Sequence, residues 1–352
     1  MSSMLDYIKK EKEINLGILN NPDLFKNIQF NNTEYRDIVI FATGSSSNAA
    51  NSAHIFMQDV LGIPVYIKEP SISLNYESFW DKETLYLAIS QGGHSSSTIE
   101  IVKYYQKNNM DIYVLTSDVN SPIAKISNKV IDLNMGIETM PYVTAGYTAT
   151  ILVLWLFSIE LAFSNNNITQ SAKKNSYDEI KKVITSADDV IVKTDEWYNK
   201  NREEIISKKR FVFIGYGACY GTALEAETKF TETIHLPAHG HELEEYMHGP
   251  YLGLNKDDFL VLIDSEGKLA DRMNLLRVFL DKHMDKTYKF TSARSSNQIQ
   301  DLCFDLMIQE NLAPLVLTIP FHMISYYVSK EHGVNLFESY YPDFDVITKS
   351  KI

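Results

Sequence analysis

A chain of 352 residues, 45% hydrophobic and 22% charged, has the composition of a globular protein long enough for about two domains. Its net charge of −12 argues against a nucleic-acid partner but not against an anionic small molecule, because helix N-termini hold phosphates without a basic surface. Two cysteines, Cys219 and Cys303, are too few for a disulfide framework, and the start MSSMLDYIKKEKE lacks an apolar h-region, so a cytoplasmic location is expected.

Residues 1–30 read as a helical lead-in. DIVIFATG, 37–44, is a short apolar run ending in a turn, and so a buried strand. In the segment after it, Ala49, Ala53, Phe56 and Val60 fall at helical spacing. PVYIKE, LYLAIS, DIYVLTS and KVIDLNM are further strands, mostly alternating with helical stretches. Such alternation predicts a parallel sheet with helices on both faces. YTATILVLWLFSIELAF, 147–163, and APLVLTIPFHMISYYV, 313–328, are apolar enough to mimic membrane spans. The first carries Glu160 without flanking basic residues, and the second is short and contains Pro320, so both are expected to be core helices and no membrane partner follows.

The pattern then restarts. FVFIGYGACYGTALEA, 211–226, lays onto IVIFATGSSSNAANSA, 38–53, without a gap. DFLVLIDS and KTYKFTS continue the second unit, and the polar stretch NNNITQSAKKNSYDE, 165–179, reads as the connection. The fold class expected is α/β, with two tandem doubly wound, flavodoxin-like parallel sheets over 31–165 and 180–332. Residues 333–352 have no clear periodicity and form a tail that must lie on something.

Two turns are rich in serine: TGSSS, 43–47, and SQGGHSSST, 90–98. Serine at a helix start ordinarily caps orphan N–H groups. Two such turns at the carboxyl ends of strands in one unit also suit a phosphate cradle, since ligands of open α/β sheets bind there. Neither is a Walker loop or a GxGxxG fingerprint, so ATP and NAD are not indicated. Farther on, Glu225, Lys229 and Glu232 share one helix face, which by charge alone reads as a solvated ion-pair face. HGHELEEYMHGP, 239–250, lacks the HExxH spacing of a zinc helix. His239 and His241 alternate at strand or loop spacing, and a lone histidine such as His248 ordinarily has a structural role.

Taken in order, these blocks resemble the sugar isomerase (SIS) domain family, with two tandem domains, and within it the isomerase half of glutamine:fructose-6-phosphate aminotransferase. GSSSNAA resembles the family's GTSY-type turn, and ISQGGHSSST its SQSGET turn. ALEAETKFTET followed by HGP, APLVLTIPFHMISYYVSKEHG and the closing DVITKS resemble three further blocks. The resemblance implies that Ser45, Ser46, Ser90, Gln91 and Ser95 bind a sugar phosphate. It implies that Glu232 moves a proton between C1 and C2, with Glu225 and Lys229 beside it. His248 would open the sugar ring, reaching the site from the neighbouring subunit of a homodimer. Lys349, in a tail closing over the site, would form a Schiff base with the ketose. No metal or cofactor is implied.

The residue types fit that chemistry. A single carboxylate can take a proton and return it to the adjacent carbon, with burial raising its pKa toward neutrality. Histidine donates and accepts near pH 7, and a lysine imine makes the adjacent C–H more acidic. Departures from the family pattern are Gly92 for serine, His94 for glutamate and His322 for glutamine, besides the altered loop ETMPYVTAGYT. No stretch resembles a glutaminase half, so use of free ammonia is expected rather than of glutamine. Three functions compete: an isomerase or deaminase of amino-sugar phosphates, a deglycase of phosphorylated fructosamines, and a phosphosugar-binding regulator without chemistry. Retention of Glu232, His248 and Lys349 together argues for catalysis.

Overall fold

The computed structural model describes residues 3–30, 34–77, 80–296 and 298–352; the expected boundaries at residues 1 and 31 lie outside these. The chain divides into two compact units: the first is 13–178 with 337–352, the second 1–12 with 179–336. Helix α1 (Met4–Leu19) opens the chain.

In the first unit the order is β1 (Asp37–Phe41), α2 (Gly44–Leu61), β2 (Val65–Lys68), α3 (Pro70–Tyr76), β3 (Thr84–Ile89), α4 (Ser96–Lys107), β4 (Tyr113–Thr116), α5 (Pro122–Ile126), β5 (Val130–Asp132) and α6 (Ala145–Ser164). The strands pair in parallel in the order β2-β1-β3-β4-β5. Every residue of β3 and β4 is buried, as strands covered on both faces require. One face packs Val39, Phe41 and Tyr86 against Ile99, Ile101, Val102 and Tyr105 of α4. α6 is buried almost all round, with Trp155 against Phe56 of α2 at 5.2 Å. Its one acid, Glu160, is met by Lys173 at 2.5 Å and by the Tyr177 hydroxyl at 2.7 Å. The first apolar stretch is thus a core helix, as expected.

Helix α7 (Gln170–Thr185) occupies most of the segment read as a connection. Its buried residues, Ile180, Val183 and Ile184, lie at or past the end of that polar window, so the window alone gave no apolar stripe to read.

The second unit repeats the plan: α8 (Ala187–Ser207), β6 (Phe211–Gly215), α9 (Cys219–Ile234), β7 (Ala238–Glu242), α10 (Leu243–Met247), β8 (Phe259–Asp264), α11 (Ala270–His283), β9 (Tyr288–Thr291), β10 (Leu302–Cys303), α12 (Pro314–Leu317) and α13 (Ile319–Glu331). Its order, β10-β9-β8-β6-β7, is the same 2-1-3-4-5 pattern read from the other edge. Gly44 and Gly217, equivalent in the gapless overlay, both take left-handed conformations, with φ of 56° and 54°. A left-handed residue after the first strand turns the chain into the helix, and glycine does this without Cβ strain. The tail adds a short helix, α14 (Phe344–Thr348), to the first unit.

Candidate functional site

Both serine-rich turns stand at the carboxyl edge of the first sheet, one after β1 and one after β3. These strands are neighbours whose connections run to opposite sides, which is the switch point where open α/β sheets bind ligands. Neither helix is capped by the side chain of its own N-cap residue. Thr43 is the N-cap of α2 and makes no side-chain cap, which places Ser45 and Ser46 in the first turn. Ser95 is the N-cap of α4, and its hydroxyl also makes no cap; it accepts from Thr98 at 3.0 Å. Ser90 is buried, with its hydroxyl accepting from the Ser95 N–H at 3.3 Å. The Gln91 carbonyl accepts from Thr116 at 3.1 Å and from the Ser117 N–H at 2.8 Å, while its amide donates to Ser117 at 3.2 Å. Gly93 closes the turn at φ 75°. Helix N-termini and hydroxyls gathered at a switch point suit a phosphate.

The tail lies on this second turn. The Ser96 hydroxyl donates to the Lys349 carbonyl at 2.6 Å, and the Ser96 N–H to the Ser350 carbonyl at 3.1 Å. The Ile352 N–H donates to the His94 carbonyl at 3.0 Å, and His94 Nδ1 lies 2.6 Å from the Ile352 carbonyl. So His94, which departs from the family pattern, meets the tail, and Lys349 caps α14 in a left-handed conformation with its side chain exposed. At Gly92 an added Cβ would meet nothing within 4 Å.

In the second unit Glu225, Lys229 and Glu232 do lie on one face of α9, but that face is not solvated. Glu225 and Lys229 are fully buried, and Glu232 is 39% exposed. Lys229 Nζ is 2.6 Å from Glu232 Oε2 and 3.6 Å from Glu225 Oε1. The expected solvated face is therefore corrected: α13 packs on α9, and of the three side chains Glu232 alone reaches solvent. The burial expected of Glu232 is found on its two neighbours instead. His322 of α13 places Nε2 3.5 Å from Glu225, and Glu11 of α1 lies 3.8 Å from His322 Nδ1. Burial alone would push the His322 imidazole down, but the Glu11 and Glu225 carboxylates outweigh it and hold it above the ordinary histidine range. His322 was visible in the sequence only as a departure from a motif; Glu11 gave no signal in a helical lead-in.

HGHELEEYMHGP begins in β7, an edge strand, and passes into α10. Gly240 is required there, because a Cβ would lie 2.4 Å from the Ala223 carbonyl of α9. The rings of His239 and His241 are 6.1 Å apart, and among the described residues no three metal-ligating side chains are placed to hold an ion. His248 ends α10 with its side chain 76% exposed and Nε2 3.9 Å from Glu244. Glu244 is itself clamped by Arg272. Two further residues stand beside the Gln91 turn and were not anticipated. Glu138 accepts from the N–H groups of Thr144 and Gly146 at the start of α6, each at 3.0 Å, and Gly146 packs against the Gln91 side chain.

A fold of two 2-1-3-4-5 sheets, with a serine cradle at one switch point, defines a class of protein, and the SIS domain family profile matches residues 33–160 and 204–329. The chain belongs to the SIS domain family. It is 24% identical over 327 residues to a glutamine–fructose-6-phosphate aminotransferase (isomerizing) of Thermococcus kodakarensis, covering 92% of this chain and 54% of that one. The chain spans about half the length of the curated relatives it matches. Among solved structures, a candidate phosphosugar isomerase from Clostridium difficile superposes with a TM-score of 0.90 at 24% identity, over 99% of this chain and 98% of the other. A glucosamine-6-phosphate deaminase from Thermotoga maritima superposes with a TM-score of 0.75 at 16% identity, over 97% and 98%. At these identities the likeness to solved structures establishes the fold.

Proposed function

We propose that the protein is a phosphosugar isomerase and amino-sugar-phosphate deaminase of the glucosamine 6-phosphate/fructose 6-phosphate type, working with free ammonia rather than glutamine. The observation that carries this reading is the Glu225–Lys229–Glu232 row on α9. Buried ion pairs are poor stabilisers, since well-packed apolar groups do as well or better, so the row is best read as chemistry. The 24% identity over 92% of this chain to a glutamine–fructose-6-phosphate aminotransferase supports the substrate class.

In this reading Ser45, Ser46, Ser90, Gln91 and Ser95 hold the phosphate. His248 opens the ring by carrying a proton from the C1 hydroxyl to the ring oxygen. Glu232 takes the C2 proton of the open aldose and returns it to C1 through an enolamine, leaving an imine at C2. The Lys349 amine displaces ammonia from C2, and water then displaces the lysine to give the ketose phosphate. His248 is supplied by a neighbouring subunit, so the enzyme is at least a homodimer, and its free cysteines suit the cytoplasm.

The test is to incubate the protein with glucosamine 6-phosphate and follow fructose 6-phosphate and ammonia together. Both should appear in step, and Glu232→Gln should lower the rate by about 100-fold or more. If neither product forms, the reading fails and fructosamine 6-phosphates are the next panel. Lys349→Met separates the two chemistries: a route through the lysine imine collapses, whereas a deglycase relying on Glu232 and His248 survives.

A further inference from the structure

The row on α9 does not end at Glu225. It continues through His322 of α13 to Glu11 of α1, giving five ionisable side chains in sequence: Glu11, His322, Glu225, Lys229 and Glu232. The steps between them are 3.8, 3.5, 3.6 and 2.6 Å. The first four are fully or almost fully buried, and only Glu232 reaches solvent. All five belong to the second unit. With His322 charged, the signs alternate along the whole row. With His322 neutral, Lys229 alone would offset three carboxylates, two of them buried where solvent screens least.

We infer that His322 is a positioning residue: as an imidazolium clamped between Glu11 and Glu225, it sets the charge that Lys229 and Glu232 experience at the solvent end of the row. This rests on the reading of Glu232 as the proton-transfer carboxylate. The elements packed on α13 leave the clamp alone with the imidazole. From α9 the facing groups are Glu225, then Lys229 and Glu232; from α1 it is Glu11. α8 brings Asp195, Tyr198 and Arg202, which meet Tyr327 and Glu331 farther along α13. α12 is apolar. The direction of the His322 shift agrees with the clamp, since the two carboxylates outweigh burial.

His322→Gln removes the charge and keeps a polar side chain of similar reach. Without the imidazolium the row is one charge more negative, so proton uptake at its solvent end comes at higher pH. The acidic limb of the kcat/KM profile should move up by roughly half a unit to one unit, with kcat falling more than KM rises. Adding Glu11→Gln to His322→Gln should bring the limb part of the way back toward wild type, because the row then regains its wild-type net charge. A readout independent of turnover is the ring resonance of His322 in histidine-labelled protein, identified by its loss in His322→Gln. It should titrate above the ordinary histidine range of about 6.5 and fall in Glu11→Gln. A neutral His322 at pH 6 in the wild-type spectrum overturns the inference, even if the variants do not fold. So does an acidic limb unmoved in a folded His322→Gln protein. If Glu232→Gln stays active, the reading of Glu232 fails; if it is dead while the His322→Gln profile is unmoved, this inference alone fails.

Discussion

At the scale of single residues, two adjacent glycines in the turn after β3 should behave oppositely. Gly93 has φ 75°, and a Cβ there would lie 2.1 Å from Ser121 Oγ, so Gly93→Ala combines backbone strain with a clash. We expect it to destabilise the first unit by about 1–3 kcal/mol, read by urea denaturation. Gly92 opens onto free space, and Gly92→Ser restores a hydroxyl to a turn from which one is missing. That variant should keep wild-type stability and lower KM for the sugar phosphate several-fold, since a hydrogen bond to a charged group contributes about 1.5–3 kcal/mol at most. An unchanged KM would mean that the cradle does not face the phosphate from this side. The sequence singled out Gly92 but not Gly93, because the reason for Gly93 lies in Ser121, nearly thirty residues on. For the same reason the α9 row was legible as a spacing and not as a burial. His322, which meets Glu225, and Glu11 behind it come from helices distant in the chain.

At the scale of elements, the strand runs and the duplication were open to reading because buried parallel strands are continuous apolar stretches. Two strands were harder. β7, with AHGHE at an edge, is mostly polar, and β10 is two residues long. The duplicated turns have also diverged chemically. After β8, the counterpart of the SQGGHSSST turn is closed by acids: the buried Asp264 accepts from the Tyr216 hydroxyl at 2.7 Å, and Glu310 accepts from the Lys268 N–H at 2.9 Å. These acids, with Lys289 Nζ 3.2 Å from Asp264, suit an anion less well than the hydroxyls of the first turn, in line with the cradle proposed there. The clamp between α1, α9 and α13 should also show in stability. The folded-state pKa of His322 is raised above its unfolded value of 6.5. Its contribution is therefore fully present below the unfolded value and is lost as pH rises through the folded one. The stability gap between wild type and His322→Gln should narrow from pH 6 to pH 9 in urea titrations. A gap that widens would place a neutral imidazole between the two acids.

At the scale of the whole molecule, the question is whether one subunit suffices. His248 is 76% exposed on its own chain, a poor setting for a group meant to pass protons to an enclosed sugar. Supply across a two-fold interface, as proposed, would resolve this, because each subunit would then give a histidine and receive one. Two inactive variants can decide it. Glu232→Gln keeps His248, and His248→Ala keeps Glu232. Mixed under conditions that let subunits exchange, half the dimers are hybrids. In a hybrid with exchange in trans, one site holds both lesions and the other holds neither. Activity should recover to roughly one quarter of wild type, and it should fall again on dilution below the dimer's dissociation constant. If each subunit used its own His248, both sites of the hybrid would carry one lesion. The mixture would then stay as inactive as its components, and a fully active monomer at high dilution would independently exclude a histidine supplied in trans.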